Sequence, residues 1–392
     1  MTEASVGTQA SFAQLDKRKL GDPMKKFTPR RVIFEPSALE YPLGKQLYDH
    51  FQKLGVEIQT TSSHNRVTGI PGKSPKEKYV QAKQSLVVGV RRTLQFSPCR
   101  PSAHYQLPLA TSCPGFCEYC YLQTTLGPKP YLRVYVNIEE ILAQAQKYIA
   151  QRAPEITIFE GAATSDPVPV EYLTGSLKRC IEFFARTDLG RFRFVTKFSD
   201  VDSLLPISHN GHTEFRFSLN TERVIRQYEK GTSSLQERVE AARKTALAGY
   251  PLGFLIAPII IYDNWKTEYA QMLAKLADAV AEETKPSFEL ITHRFTQRAK
   301  SNIGEVFPES TLPMDEGERQ YKFGQFGYGK WIYPKETMSE IRDFFAQELS
   351  RLFPGSEMTL LAHIWQQEGN KLVEGIGGGQ PFGKASADRI HS

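Results

Sequence analysis

Apolar positions along the chain fall into blocks of two spacings. Short runs of four to nine residues read as strands, and runs with apolar residues every third or fourth position read as helices. Near the start, Val32, Ile33 and Phe34 are followed by a helical stretch ending at Leu54, a capping Gly55 and a second run, VEIQ. This is a strand–helix–strand unit. GIPGKSP at 69–75 reads as loop and SLVVGV at 85–90 as a further buried strand. Beyond residue 104, YQLPLA leads into a cysteine-rich loop, and Asn137 with Glu140 forms a capping-box-like start to a helix on Ile138, Ile141, Leu142, Ala145, Tyr148 and Ile149. ITIF at 156–159 precedes one helix through Leu173, Leu177, Cys180, Ile181 and Phe184. FRFVTKF and EFRFSL are further strands, Ser234 and Glu237 open a helix closed by Gly249, and GFLIAPIII, a helix from Trp265 to Leu276 and SFELITH complete the series.

Six strands with helical crossovers argue for a parallel sheet, doubly wound or curled into a partial barrel, and periodicity does not choose between these. Either way the active site belongs at the carboxyl ends of the strands. After residue 300 the pattern changes: YKFGQFGYGKWIYPK (321–335) alternates aromatics with glycine and lysine, and a helix is expected over 336–353. The glycine-rich end reads as disordered.

Composition changes this picture little. The 392 residues are 40% hydrophobic and 23% charged, enough for a large core. A net charge of +6 permits an anionic partner without requiring one. No run of 18 or more apolar residues is present, so no membrane span is expected, and the polar first two dozen residues lack the apolar core of a signal peptide. Five cysteines, three of them together, suit a reducing cytoplasm better than a disulfide framework.

Those three carry the chemistry. CPGFCEYCY places Cys113, Cys117 and Cys120 at C-x3-C-x2-C spacing. A structural zinc site would need a fourth ligand such as His104 and normally uses paired C-x2-C knuckles. Electron-transfer clusters use four thiolates. Three thiolates leave one iron of a 4Fe-4S cluster open to chemistry, the signature of the radical S-adenosylmethionine (radical SAM) enzymes.

The stretch PSAHYQLPLATSCPGFCEYCYLQTTLG, with SHN at 63–65, RFRFVTKF, YPLGFLIAPI and FELITHRFT, resembles the spore photoproduct lyase family from about residue 28 to about 355. The resemblance implies a partial (β/α)6 barrel of the radical SAM type, with an N-terminal α/β region and a C-terminal β-hairpin plus helix. The corresponding division is a flexible tail at 1–27, the N-terminal region at 28–100, the barrel at 101–300, the lesion-contacting hairpin and helix at 301–360, and a disordered tail at 361–392. It further implies repair of 5-thyminyl-5,6-dihydrothymine in DNA by a 5′-deoxyadenosyl radical. The expected cofactors are a 4Fe-4S cluster on Cys113, Cys117 and Cys120 and S-adenosyl-L-methionine near Ser165, Lys197, Ser218 and Asn220. Tyr119 and Tyr121 are the expected tyrosine relay. Expected partners are DNA carrying the lesion and an electron donor such as flavodoxin or ferredoxin, with the protein a monomer or weak dimer in the cytoplasm of a spore core.

One position departs from the family. The segment after the second strand, FEGAATSD, carries Ala163 where better-known members have the hydrogen-donating cysteine. Cys180 lies on the apolar face of its helix and reads as core. Cys99, in the proline-flanked FSPCRPSAHY, is the expected substitute, on a loop folded over the mouth of the site. A donor-less, impaired lyase is the other outcome of this departure.

The aromatic hairpin offers faces for bases and lysines for phosphates, with Phe326, Tyr328 and Trp331 as the expected wedge and Lys330 beside them. Members of the family often have Arg-Tyr where this chain has Gln325 and Phe326. Arg91 and Arg92 are candidate phosphate contacts. Two competing readings are a radical SAM enzyme for another nucleotide substrate and a non-catalytic zinc-stabilised nucleic-acid-binding protein.

Overall fold

The computed structural model describes residues 26–65, 67–280, 284–323 and 329–360. In chain order its strands are β1 (Arg31–Phe34), β2 (Glu57–Thr60), β3 (Ser85–Gly89), β4 (Pro98–Cys99), β5 (Ala103–Gln106), β6 (Ala110–Thr111), β7 (Phe116–Cys117), β8 (Leu132–Tyr135) and β9 (Thr157–Glu160). They continue as β10 (Gly190–Thr196), β11 (Thr213–Leu219), β12 (Glu229–Lys230), β13 (Leu252–Ile259), β14 (Ser287–Thr292), β15 (Gln320–Phe323), β16 (Gly329–Ile332) and β17 (Met358–Leu360).

The larger sheet runs β17-β14-β13-β11-β10-β9-β5-β4. Its inner six, β5, β9, β10, β11, β13 and β14, pair in parallel and are the six expected strands of the partial barrel. The alternation along each strand explains the layers. Phe192, Phe194, Phe215, Phe217, Phe254 and Phe288 join one buried cluster with helix residues such as Ile141, Leu177, Phe184 and Leu273. The residues between them, Arg193, Glu214, Arg216, Ser218 and Glu289, face the barrel interior and pair across strands. Aromatic residues thus dock the helices, while polar residues line the interior.

The smaller sheet runs β2-β1-β3-β8-β6, with β6 antiparallel to β8 and the rest parallel. Val32 and Phe34 pack with Leu47 and Phe51 of the helix Pro42–Lys53, and Ile33 and Val87 with Ile70 and Ala82 on the other face. Thus β6 and β8, on either side of the cysteine loop, belong to the sheet of the N-terminal strands. Phe27, placed in the expected tail, is 2% exposed in this core. The rest of that tail, 1–25, and the C-terminal 361–392 lie outside the described residues.

Several local expectations change. Asn137 makes no cap: its side chain clamps Arg91 instead, accepting from Arg91 N (2.8 Å) and donating to Arg91 O (3.0 Å). The helix expected through Leu173 and Phe184 is two, Val168–Thr174 and Ser176–Ala185, because the chain turns left-handed at Gly175 (φ 61°). The helix Pro75–Lys83 carries a complete Ser74–Glu77 capping box that the sequence reading passed over. The helix Gln297–Val306, β8 and β17 were also missed. The Ser234–Glu237 capping box is present as expected. Among the described residues no helix is long and apolar enough to cross a membrane.

The expected hairpin forms from β15 and β16, with Tyr321 opposite Trp331 and Lys322 opposite Lys330. Two backbone hydrogen bonds between Phe295 and Trp331 (2.8 and 3.2 Å) fasten it to the carboxyl end of β14. The following helix, Lys335–Leu352, buries Ile341, Phe345 and Leu349.

Candidate active site

The cysteine loop leaves β6 at Ser112, whose N–H donates to Thr164 O (2.8 Å) in the loop after β9. Strand β7 pairs antiparallel with β12, placing Cys117 opposite Glu229. Lys83 Nζ donates to Cys113 O (2.9 Å). Gly115 permits the tight fold: a Cβ there would lie 3.0 Å from Thr232 Cγ2 and 3.7 Å from Cys113 Sγ. Cys117 is buried and the other two thiols are partly so. Burial pushes the Cys113 thiol up to about 11. Such thiols lose their protons to a bound metal rather than to water.

Among the described residues, no three His, Cys, Asp or Glu side chains converge to hold a single metal ion. A cubane is a wider body whose thiolates each meet a different iron, and three separated cysteines on one tightly packed loop suit it. His104 is occupied elsewhere, accepting the Ile158 N–H (2.9 Å).

Beside the loop lies a buried charge cluster centred on Glu229, a residue the sequence reading missed. Glu229 Oε2 accepts from Arg238 (2.6 Å), and Oε1 accepts from Lys197 Nζ (3.0 Å) and the Tyr119 hydroxyl. Burial works to raise the Glu229 pKa, but Arg238 and Lys197 outweigh it and hold the carboxyl near 2. The anion beside Lys197 is therefore Glu229, where the sequence reading looked to a cofactor carboxylate. Lys197 also donates to Ser218 Oγ (2.8 Å) and Ala257 O (3.2 Å).

Ser165 Oγ is buried and has no hydrogen-bond partner. An orphaned hydroxyl beside the cysteine loop is what a cofactor amino or carboxylate group would satisfy. Asn220 is fully buried and its amide is engaged within the fold: it donates to Pro258 O (2.7 Å) and accepts from Tyr269 (2.7 Å) and Thr221 N (3.1 Å). It ties the end of β11 to β13, the turn-capping use of asparagine.

Tyr119 is half-buried between Lys197 and Glu229, with its ring centroid 5.6 Å from Lys197 Nζ. Tyr121 is 45% exposed and its hydroxyl donates to Ala163 O (2.5 Å). Cys99 is in a strand rather than a loop. It is in β4, paired with the start of β5 opposite Ala103, because the chain reverses within residues 100–102. From there it lies within electrostatic reach of Glu160 and Tyr121. A cavity of about 170 Å³ opens beside Ala163, lined also by Thr164, Gly161, Leu107, Tyr135 and Arg91.

The family model for spore photoproduct lyase matches residues 27–362. The chain belongs to the spore photoproduct lyase family. It is 52% identical over 337 residues to the spore photoproduct lyase of a Geobacillus species, covering 86% of this chain and 99% of that protein. The Bacillus subtilis spore photoproduct lyase is 51% identical, with 85% and 98% covered. Among solved structures, a spore photoproduct lyase complexed with dinucleoside spore photoproduct superposes with a TM-score of 0.83 at 52% identity, covering 85% of this chain and 99% of that one. A double variant with one cysteine changed to alanine and one serine to cysteine, with bound AdoMet and the same dinucleoside lesion, gives 0.83 at 53% identity and the same coverage.

The DNA-facing expectations of this spore photoproduct lyase family member fall in two places. Trp331 and Lys330 lie on β16 of the hairpin; Phe326 and Tyr328 lie outside the described residues. Burial, then Arg294 and Lys322, lower the pKa of Lys330 to about 8. Arg92 is held by Glu35 (2.5 Å) and Ser37 (3.1 Å), so its charge already has a buried partner. Glu35 also takes the His64 of SHN, at 2.6 Å. Arg91, clamped by Asn137, lies 5.8 Å over the Tyr135 ring with its Nε unpartnered.

Proposed function

We propose that this chain reverses the spore photoproduct, 5-thyminyl-5,6-dihydrothymine, to two thymines in DNA. A 4Fe-4S cluster on Cys113, Cys117 and Cys120, with S-adenosyl-L-methionine held near Ser165, Lys197 and Ser218, supplies the radical that takes hydrogen from C6 of the lesion. The orphaned Ser165 hydroxyl is the cofactor contact best supported; Asn220 acts from behind, by holding the end of β11. A flavodoxin- or ferredoxin-like donor reduces the cluster.

The observation that carries the finer reading is the grouping of Cys99, Tyr121 and Ala163. Burial, then Glu160, push the Cys99 thiol up to about 12, so the sulfur keeps its hydrogen. When the bond joining the thymines has broken, the Cys99 S–H bond breaks and a C–H bond forms on the thymine methylene carbon. The sulfur is left one electron short. Tyr121 restores the S–H bond with its phenolic hydrogen, and Tyr119 carries the deficit toward the cofactor. Ala163 takes no part. The relative whose structure pairs a lost cysteine with a gained one, lesion bound, supports this relocation. Arg91, Lys330 and Trp331, with Phe326 and Tyr328, meet the DNA.

The test is an anaerobic assay of the iron-reconstituted protein with reductant, S-adenosylmethionine and the dinucleotide lesion, beside Cys99→Ala. Intact thymidylyl-thymidine from the parent, and a loss of about tenfold or more in the mutant with trapped adducts, is the expected outcome. Equal clean repair by both removes Cys99 from the mechanism. Cofactor cleavage without repair by either rejects the lyase.

A further inference from the structure

Below the layer of Lys197 and Ser218 the barrel holds a second group of charges that the mechanism above does not use. Arg216 pairs with Glu160 at 2.8 Å and Glu289 at 2.5 Å. Arg193 reaches Glu289 at 3.3 Å, Glu214 at 3.5 Å and Glu160 at 3.7 Å. Three carboxylates against two guanidiniums leave this floor with a negative surplus. Gly253 on β13 makes room for it: a Cβ there would lie 2.6 Å from Ser287 Oγ and 2.7 Å from Glu214 Oε1.

The sheet that wraps this floor is open, with β4 and β5 toward one edge and β14 and β17 at the other. A side-chain hydrogen bond crosses the opening: Ser102 Oγ donates to Glu289 Oε2 (2.9 Å). Ser102 is in the turn that follows Cys99. The pairing of β4 with β5 is irregular there, slipping between Pro98 and Cys99. A bulged edge of two residues has little ladder of its own to fix it. The turn is therefore held from two sides, by β5 and by the far edge of the barrel.

We infer that Ser102 and Glu289 form a clasp that positions Cys99 for hydrogen transfer, seating its turn on the ionic floor beneath the site. This rests on the reading of Cys99 as the donor. The floor also sets the thiol's state. Glu160 on β9 and Glu289 on β14 add to burial in raising its pKa, against Arg193 on β10 and Arg216 on β11. Ser102 and Glu289 act through Cys99 and touch no substrate.

The experiment uses the full, iron-reconstituted chain with Ser102→Ala, Ser102→Thr and Glu289→Gln. One readout is thymidylyl-thymidine formed per cofactor cleaved. The other is the rate of Cys99 alkylation by iodoacetamide at pH 8 without S-adenosylmethionine, read by peptide mass. Cys180 is 0% exposed and the loop cysteines hold iron, so Cys99 is the reporting thiol. Ser102→Ala is expected to lower the product ratio about tenfold and to raise alkylation about tenfold. Ser102→Thr, which keeps the hydroxyl, restores both. Glu289→Gln leaves an amide oxygen to accept from Ser102 but removes the surplus charge, so it raises alkylation through the thiol's acidity while keeping the clasp.

An unchanged ratio and alkylation rate in a normally folded Ser102→Ala overturns the clasp. So does a fall of both products at constant ratio, which marks a purely structural role. The two failures are separable: Cys99→Ala with full repair removes the donor reading, whereas a silent Ser102→Ala beside a damaged Cys99→Ala removes the clasp alone.

Discussion

Two ionic layers sit one above the other in the same barrel, and they are balanced differently. In the upper layer a single carboxylate, Glu229, receives Arg238, Lys197 and the Tyr119 hydroxyl, and its pKa falls to about 2. In the floor three carboxylates share two arginines; there burial wins at Glu160, whose pKa rises, while Arg216 and Arg193 still outweigh burial at Glu289. Glu229 has two cations to itself, whereas Glu160 and Glu289 share theirs, and of these two only Glu289 also has a hydrogen bond from a neutral side chain, Ser102, to set against burial. The upper layer fixes a charge beside the cysteine loop, and the floor keeps a surplus under Cys99.

The largest expected effect is at Arg238. Arg238→Met leaves Glu229 buried with Lys197 alone and strips donors from Ser218 O, Ser233 O and Thr232. A loss of about 3–5 kcal/mol in urea unfolding is expected. Arg216→Met in the floor should cost less, about 1–3 kcal/mol, because Glu160 can take a proton instead. Equal losses would break the account by cation number. Gly253→Ala intrudes on the floor without changing charge, and should cost about 1–2 kcal/mol by overpacking.

A third buried glutamate sharpens the contrast. Glu171 accepts the backbone N–H groups of Leu177 (2.7 Å) and Lys178 (3.0 Å) and has no ion pair as close as those of Glu229; burial lifts its pKa to about 7 from 4.5. Between those values the folded state binds more protons than the unfolded one. Stability linked to Glu171 therefore grows as pH falls from about 7 toward 4.5. Glu229 has the opposite sign: its contribution is full above 4.5 and is lost as pH falls toward about 2. The smallest effect follows: Glu171→Gln should flatten the melting profile between pH 8 and about pH 6.2 by about 1 kcal/mol. An unaltered slope would show that Glu171 does not titrate there.

The sequence was most legible where one physical rule acts alone. The Phe/polar alternation of FRFVTKF and EFRFSL marked β10 and β11, and the cysteine spacing marked the loop, because both are local. Asn137 misled because a cap and a clamp on Arg91, 46 residues earlier, need the same side chain. The helix break at Gly175 left the apolar spacing intact on both sides. Glu229 was invisible for another reason: between a lysine and a tyrosine in QYEKG it reads as solvated charge, and only the pairing of β12 with β7 and the return of the helix bearing Arg238 enclose it. Cys99 was read as loop since a two-residue strand leaves no periodicity.

The cysteine loop departs from β6 and returns to β8, two neighbouring strands of the smaller sheet, so its two ends are stitched together at the base. It behaves as a drawer in a cabinet. The frame is complete without the contents, because the six barrel strands and their helices draw none of their ladder from residues 112–131. A change confined to the loop, such as a Cβ added at Gly115, is therefore expected to be felt inside the drawer and along its seam with β12 before it reaches the barrel ladder.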